Sequence, residues 1–271
     1  MNGASREALT AARERLDALM DSTSVDAARL ADELAAVTAL LHREVGLRRV
    51  LTDPAQPGDA KAALVQRLLG GQVDGAAVDL VSGIVRSRWS QSRDLVDTLE
   101  ELANLADLSA AQRAGTLDDV EDELFRFGRI VSSSTELRAA LTDRSASTSA
   151  KGELLRRLLG GRAKETTERL VTRLVTAPRG RSLESGLESL SKLAADRRNR
   201  MVAVVTSAVP LSDRQKQRLG AALAKLYGRQ MHLNIDVDPE LIGGIRVQVG
   251  DETINGSLAD RLDDAARRMA S

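Results

Sequence analysis

The sequence predicts a mainly α protein with a C-terminal α+β domain: two tandem helical bundles that share a helix, then a small strand-helix-strand-strand-helix unit. Three observations carry that expectation. Apolar residues recur three and four apart through the chain as far as Arg200, the spacing of one helical face. The chain then repeats itself at a shift of 90 residues. Beyond Met201 the apolar spacing changes to alternation between turn dipeptides, as a half-buried strand requires.

In order, residues 4–20 predict a helix with Leu9, Ala12, Leu16 and Leu19 on one stripe. A second runs from Val25 to Val45 on Leu30, Leu34, Val37 and Leu41; Gly46 interrupts it, and Leu47 to Leu51 form one further short turn. Thr52 to Gly58, with two prolines and a glycine, is the clearest loop. The helix from Ala60 to Leu69 stops at Gly70-Gly71, where glycine adopts the left-handed terminating conformation without steric cost. The next, from Asp74 to Trp89, carries Ala77, Leu80, Val81, Ile84 and Val85. These helices and their short connections make a bundle.

The 90-residue shift lays Leu51-Thr52-Asp53 on Leu141-Thr142-Asp143 and Ala60-Lys61 on Ala150-Lys151. It also lays Arg67 to Gly71 on Arg157 to Gly161, residue for residue. Chance and shared helical composition give identity at only about one position in ten, so a duplicated module is the better explanation. In this register the helix from Ser92 to Ala111 closes the first copy and opens the second, with Leu95, Leu99, Leu102 and Ala106 as its stripe. In the second copy Leu117, Val120, Leu124, Phe127 and Val131 keep the spacing. A last helix, Leu183 to Arg200, leads out of it. The expected domains are residues 1–104, 105–199 and 200–271.

The third domain opens with a β-branched run, Met201 to Val209, ended by Pro210. Ser212 and Gln215 form a capping box for a helix whose Leu219, Ala222, Leu223 and Leu226 face one way. Met231 to Val237 is a strand with Leu233, Ile235 and Val237 inward. Ile245, Val247 and Val249 alternate with polar residues, and Gly250-Asp251 and Asn255-Gly256 bracket a short partner segment at hairpin spacing. Ser257 caps a final helix with Leu258, Leu262 and Met269 on its apolar face.

Composition excludes whole classes of function. Lys plus Arg and Asp plus Glu are equal at 39 each, which removes a bulk electrostatic case for nucleic acid or an anionic membrane. There is no cysteine, hence no disulfide, thiolate metal site or cysteine nucleophile. No apolar run approaches the length of a membrane span, and the N-terminus lacks the blocks of a signal peptide. The expectation is a soluble protein made in the cytoplasm, reaching a membrane only through partners.

The candidate chemical signals reduce to structural ones. Gly70-Gly71 and Gly160-Gly161 follow helices, whereas phosphate loops precede them and end in Gly-Lys-Ser/Thr. His232, Asn234 and Asp236 alternate with apolar residues and make the wet face of a strand rather than a metal site. His42 is a helix-surface residue, and Arg197, Arg198 and Arg200 suit a helix C-terminus. No nucleophile-base arrangement or cofactor fingerprint is present, so no catalytic, cofactor or metal residues are expected. Trp89 is the feature a bundle does not explain, because its repeat partner is Arg179. Either it packs against the second bundle or it anchors a partner helix.

The string LIGGIRVQVGDETINGSLADRL, residues 241–262, closely resembles the C-terminal signature of the delta subunits of F-type ATP synthases, counterparts of the mitochondrial oligomycin-sensitivity-conferring protein. The preceding VAVVTSAVPLSDRQKQRL, residues 202–219, resembles the same family's entry into that domain. The resemblance implies a non-catalytic stator subunit that links the catalytic head to the peripheral stalk, at the cytoplasmic face of the cell membrane, and resists torque. It implies that a helical bundle receives N-terminal helices of alpha subunits and that the C-terminal domain holds the end of the b subunit. By position the second copy corresponds to the family's ordinary bundle, and the first is additional. With Trp89, the candidate interface residues are Leu241, Ile245, Val247, Leu258, Leu262 and Met269. A generic helical-repeat adaptor is the alternative; an enzyme using the C-terminal sheet lacks residues for chemistry.

Overall fold

The structure is a computed structural model, and it describes residues 2–21, 25–198, 201–227, 231–238, 241, 244–249 and 252–255. The chain divides into two compact units, Met1–Ala194 and Ala195–Ser271.

The first unit is helical: α1 (Gly3–Asp21), α2 (Ala27–Arg43), α3 (Val45–Thr52), α4 (Gly58–Leu69), α5 (Gly75–Val85) and α6 (Ser92–Arg113). After them come α7 (Leu117–Ser133), α8 (Thr135–Thr142), α9 (Thr148–Leu159), α10 (Glu165–Thr176) and α11 (Leu183–Arg198), whose last residues pass into the second unit. The 90-residue register holds in the backbone. Helices α2, α3 and α4 map onto α7, α8 and α9 with both ends coincident, and α5 and α10 share their start. Local chemistry repeats with it. Glu33 accepts from the Asp74 amide at 3.1 Å, and Glu123 accepts from the Lys164 amide at 2.9 Å. Asp53 accepts from the Ala55 amide, and Asp143 from that of Ser145.

The glycine pairs that close α4 and α9 are needed for two different reasons. Gly71 and Gly161 lie at φ 75° and 68°, in the left-handed region that L side chains avoid. A Cβ at Gly70 or Gly160 would instead collide with the carbonyl oxygen of Gln66 or Arg156 in the last turn. One boundary departs from the periodicity. The break after α2 falls at Glu44, at φ −90° and ψ 78°, and Gly46 lies inside α3. The amide of Glu44 makes the last i→i−4 bond of α2, to the Leu40 carbonyl, and it is the non-helical φ/ψ of Glu44 itself that breaks the helix before α3 begins.

Two apolar clusters fill this unit. The first runs from Ala8 to Ala106, the second from Leu108 to Ala194. Helix α6 feeds both: Leu95, Leu99, Leu102 and Ala106 enter the first, Leu108 and Ala111 the second. A helix with buried residues on all sides must be enclosed on all sides, and α6 is so enclosed.

The second unit contains β1 (Met201–Ser207), α12 (Asp213–Tyr227), β2 (Met231–Val237), β3 (Ile245–Val249) and β4 (Glu252–Asn255), with sheet order β2-β1-β3-β4. Strands β1 and β2 are parallel and joined through α12, as a parallel pair needs a crossover. Strand β3 runs antiparallel to β1 and forms a hairpin with β4. Gln215 closes the capping box by accepting from the Ser212 amide at 2.9 Å. The core gathers Val205, Leu223, Val247 and Val249, with Leu219, Tyr227, Leu233 and Ile235 against it. Three expected inward positions face water instead: Ala222 is exposed, Leu226 is 66% exposed and Val237 47%. On α12 the stripe runs 219, 223, 227, so Tyr227 takes the place predicted for Leu226; Val237 is the last residue of β2 and lies past the core.

Candidate partner-binding surfaces

Two features of the helical unit stand out: a charged joint that ties the copies together and a groove on the second copy.

At the joint, Arg169 and Arg173 project from consecutive turns of α10 onto Asp107 of the shared helix. Arg169 donates to Asp107 at 2.8 Å, to both oxygens of Asp32 on α2 at 3.0 and 2.7 Å, and to the Ala28 carbonyl at 2.9 Å. Arg173 lies 2.8 Å from the other Asp107 oxygen and donates to Asn104 at 3.0 Å. Asp107 is 1% exposed, and burial pushes its pKa up in spite of the opposing pull of Arg173 and Arg169. Burial opposes the charge of Arg169 as well, but its hydrogen bonds to Asp32 and its attraction to Asp107 raise its pKa.

A second cluster lies at the end of α10. Arg179 pairs with Glu100 and with Asp97, the latter at 3.2 Å, and Arg181 also binds Glu100. Arg179 sits at φ 49°, an uncommon conformation for a long side chain, and its carbonyl accepts from Arg93 at 2.8 Å. Burial lowers the pKa of Arg179 to about 10, against the pull of Asp97, and lowers that of Arg181 too. Separating the copies would strand several of these charges in apolar surroundings, so the joint resists opening more strongly than its modest net stability suggests.

The groove lies between α7 and α11, about 980 Å³ in volume. Its floor contains Leu124 and Leu187, both buried. Phe125 and Ile130 line it at 59% and 53% exposure, large apolar side chains facing water. Arg126 and Arg129 stand on the α7 wall; Glu184 and Glu188 stand on the α11 wall. The corresponding pair in the first copy, α2 and α6, packs closely along its length, whereas α7 and α11 stand apart. The sequence contains the cause. Buried Ala31, half-buried Ala35 and exposed Ala39 on α2 become Glu121, Phe125 and Arg129 on α7, so small residues give way to two charges and an aromatic. The groove residues were legible only by comparing the copies position by position, since the stripe Leu117–Val131 passes beside them.

Of the predicted interface residues, Leu241, Val247 and Ile245 belong to the C-terminal unit. Leu241 and Val247 are buried at 9% and 3%, and Ile245 at the start of β3 is half-buried. Leu258, Leu262 and Met269, with their predicted helix, lie outside the described residues. Trp89 follows α5 instead of ending it, because α5 stops at Val85. It is 7% exposed within the first copy's apolar cluster, so it supplies core rather than an accessible anchor, and its indole nitrogen has no hydrogen-bond partner. The neighbouring Ser90 amide donates to buried Ser5 on α1 at 2.8 Å, which holds this turn against α1. Trp89 thus seals the first core at the position where the second copy places joint-forming Arg179.

Among the described residues no cluster of His, Asp or Glu could hold a metal ion, and no helix is long and apolar enough to cross a membrane. The ionisable groups with displaced pKa values are Asp107, Arg169, Arg179 and Arg181 at the joint, solvated Arg29 and Asp143, and buried Lys61, whose pKa burial lowers.

The profile of the ATP synthase delta (OSCP) subunit matches residues 103–269. The ATP synthase subunit delta of Streptomyces coelicolor is 83% identical over the whole of this chain and 99% of its own. That of Thermobifida fusca is 49% identical, with full coverage of both. A chain from the Toxoplasma gondii mitochondrial ATP synthase hexamer aligns at 22% identity over 62% of this chain and 97% of its own, with a TM-score of 0.27, too loose a likeness to support a structural argument.

Proposed function

The chain belongs to the ATP synthase delta (OSCP) subunit family, a non-catalytic stator component of the F-type ATP synthase, and we propose how its parts divide that work. The helical copies, residues 1–104 and 105–199, grip N-terminal helices of the alpha subunits of the catalytic head. The C-terminal domain, residues 200–271, holds the end of the b subunit through Leu241 to Val249 and the segment from Leu258 to Met269. The complex carries the chain at the cytoplasmic face of the cell membrane.

The observation that carries this reading is the joint. A stator subunit must transmit torque without yielding, and the copies share an enclosed helix, α6, braced by guanidinium-carboxylate clusters. Relatives aligned over their full length span the first copy as well.

The test is reconstitution. Membranes stripped of the catalytic head, and purified head lacking this subunit, should recover ATP-driven proton pumping only when the chain is added. Full pumping without it, or none with it despite head binding, overturns the stator assignment. Removing residues 256–271 should abolish b-subunit binding and leave head binding intact; retained b binding would refute that division of labour.

A further inference from the structure

We propose that the cavity between α2 and the loop after α10 is a binding site for a small amphipathic carboxylate, a compact apolar body carrying a single negative charge. Such a site goes beyond the stator reading and does not depend on it.

Small residues create the space. Ala35, Thr38, Ala39 and His42 lie on one face of α2, three and four apart. Opposite them, Thr176 and Ala177 end α10 and lead through Pro178 to Arg179. The alanines reach no further than Cβ, and a cavity of about 320 Å³ is left between the walls. That volume falls at the small end of the roughly 300–1,000 Å³ of small-molecule sites. In the second copy Phe125 and Arg129 stand where α2 has Ala35 and Ala39, so this lining is particular to the joint.

Charge around the cavity selects the occupant. Arg173 and Arg179 line it beside Glu100, and exposed His42 stands on the α2 wall. The ion pairs of the joint connect five arginines, Arg93, Arg169, Arg173, Arg179 and Arg181, to four carboxylates, Asp32, Asp97, Glu100 and Asp107. Glu100 is shared by Arg179 and Arg181, and the buried Nε of Arg179 has no hydrogen-bond partner. Burial lowers the pKa of Arg179 against the pull of Asp97, and neighbouring Arg181 and Arg93 lower it further. One added anion offsets the excess cation; a triphosphate brings too much charge and a neutral guest brings none. The hydroxyls of Thr38 and Thr176 donate to the Leu34 and Thr172 carbonyls at 2.7 Å each, which leaves guanidinium N–H groups as the donors for the anion. Because α2 belongs to the first copy and α10 to the second, an occupant bridges the copies and stabilises their joint.

The lining supplies its own reporters, since alanine and threonine methyl groups come from both walls. Naphthoate, cyclohexanecarboxylate and octanoate are titrated in turn into the full chain, isotope-labelled at those methyls, and followed by NMR. At least one should saturate at one molecule per chain, shift the methyls of Ala35, Ala39 and Ala177 together, and raise the thermal midpoint. Its uncharged amide should bind at least about tenfold more weakly. Ala39→Phe, at an exposed position outside the ion pairs, should fill the cavity and abolish binding with the thermal midpoint of the free chain nearly unchanged. His42→Glu, also exposed, should weaken the carboxylate severalfold and leave the amide unaffected; this split decides the matter if Ala39→Phe disturbs folding. No saturable binding by any of the three acids, or equal affinity for acid and amide, overturns the proposal. So does binding that Ala39→Phe spares and Phe125→Ser removes, because the probe then occupies the groove between α7 and α11.

Discussion

The two copies of the helical module began from the same plan and were used for opposite purposes. The first closes on itself: α2 packs closely on α6, Trp89 seals one end, and the core from Ala8 to Ala106 is continuous. The second leaves α7 and α11 apart, with Phe125 and Ile130 in water, and spends arginines of α10 and its following loop on the joint. Equivalent backbone does not imply equivalent surface. A handful of side chains on a shared scaffold decides whether a helix face is core, joint or groove.

The largest effect should come from separating the copies. Deleting residues 1–91 strips cover from Leu95, Val96, Leu99, Leu102 and Ala103, all at most 1% exposed, so the remainder should aggregate or lose cooperative unfolding. A soluble fragment with a sharp thermal transition would show that the second copy is the independent unit and the first an appendage. Next, transplanting the second copy's face onto the first by Ala31→Glu and Ala35→Phe should open α2 from α6. Ala31 is fully buried, and an unpaired charge there costs at least about 3 kcal/mol in urea unfolding.

Breaking the joint by Asp107→Ala leaves Arg173, 14% exposed, without its closest carboxylate, and should cost about 3 kcal/mol. The sign of the pH effect follows from the raised pKa of Asp107. Between the ordinary aspartate value and the raised one, the native state holds the extra proton. This group's contribution to stability therefore falls as pH rises through that window, and Asp107→Asn should remove that slope. The smallest effects test how closely the backbones agree. Gly71→Ala and Gly161→Ala force the same left-handed strain and should each cost about 1 kcal/mol in thermal unfolding. Unequal costs would mean that the copies differ in backbone freedom as well as surface.

Much of this was open to inspection in the chain itself. Periodicity and the 90-residue shift predicted the helices, their order and the double role of α6, because helix formation and burial of an apolar stripe are local rules that duplicate with the residues. Alternation and turn dipeptides predicted the strands for the same reason. The break at Glu44 escaped because it is set by the dihedrals of that one residue and not by glycine content. Trp89 escaped because packing partners are distant in sequence: it lies against the first core, where repeat logic offered only Arg179 as its equivalent.

What the sequence by itself determined, then, is the order of the described elements, their duplication and the family, each written in residues that are neighbours along the chain. Tertiary structure alone decided the rest. Only when α2, α6 and α10 meet do Asp32, Asp107 and Arg169 become one ion cluster across 137 residues of chain. And only the distance between α7 and α11 turns two ordinary apolar residues, Phe125 and Ile130, into an open groove, because exposure is a property of what neighbouring elements cover and is set by how far apart they pack.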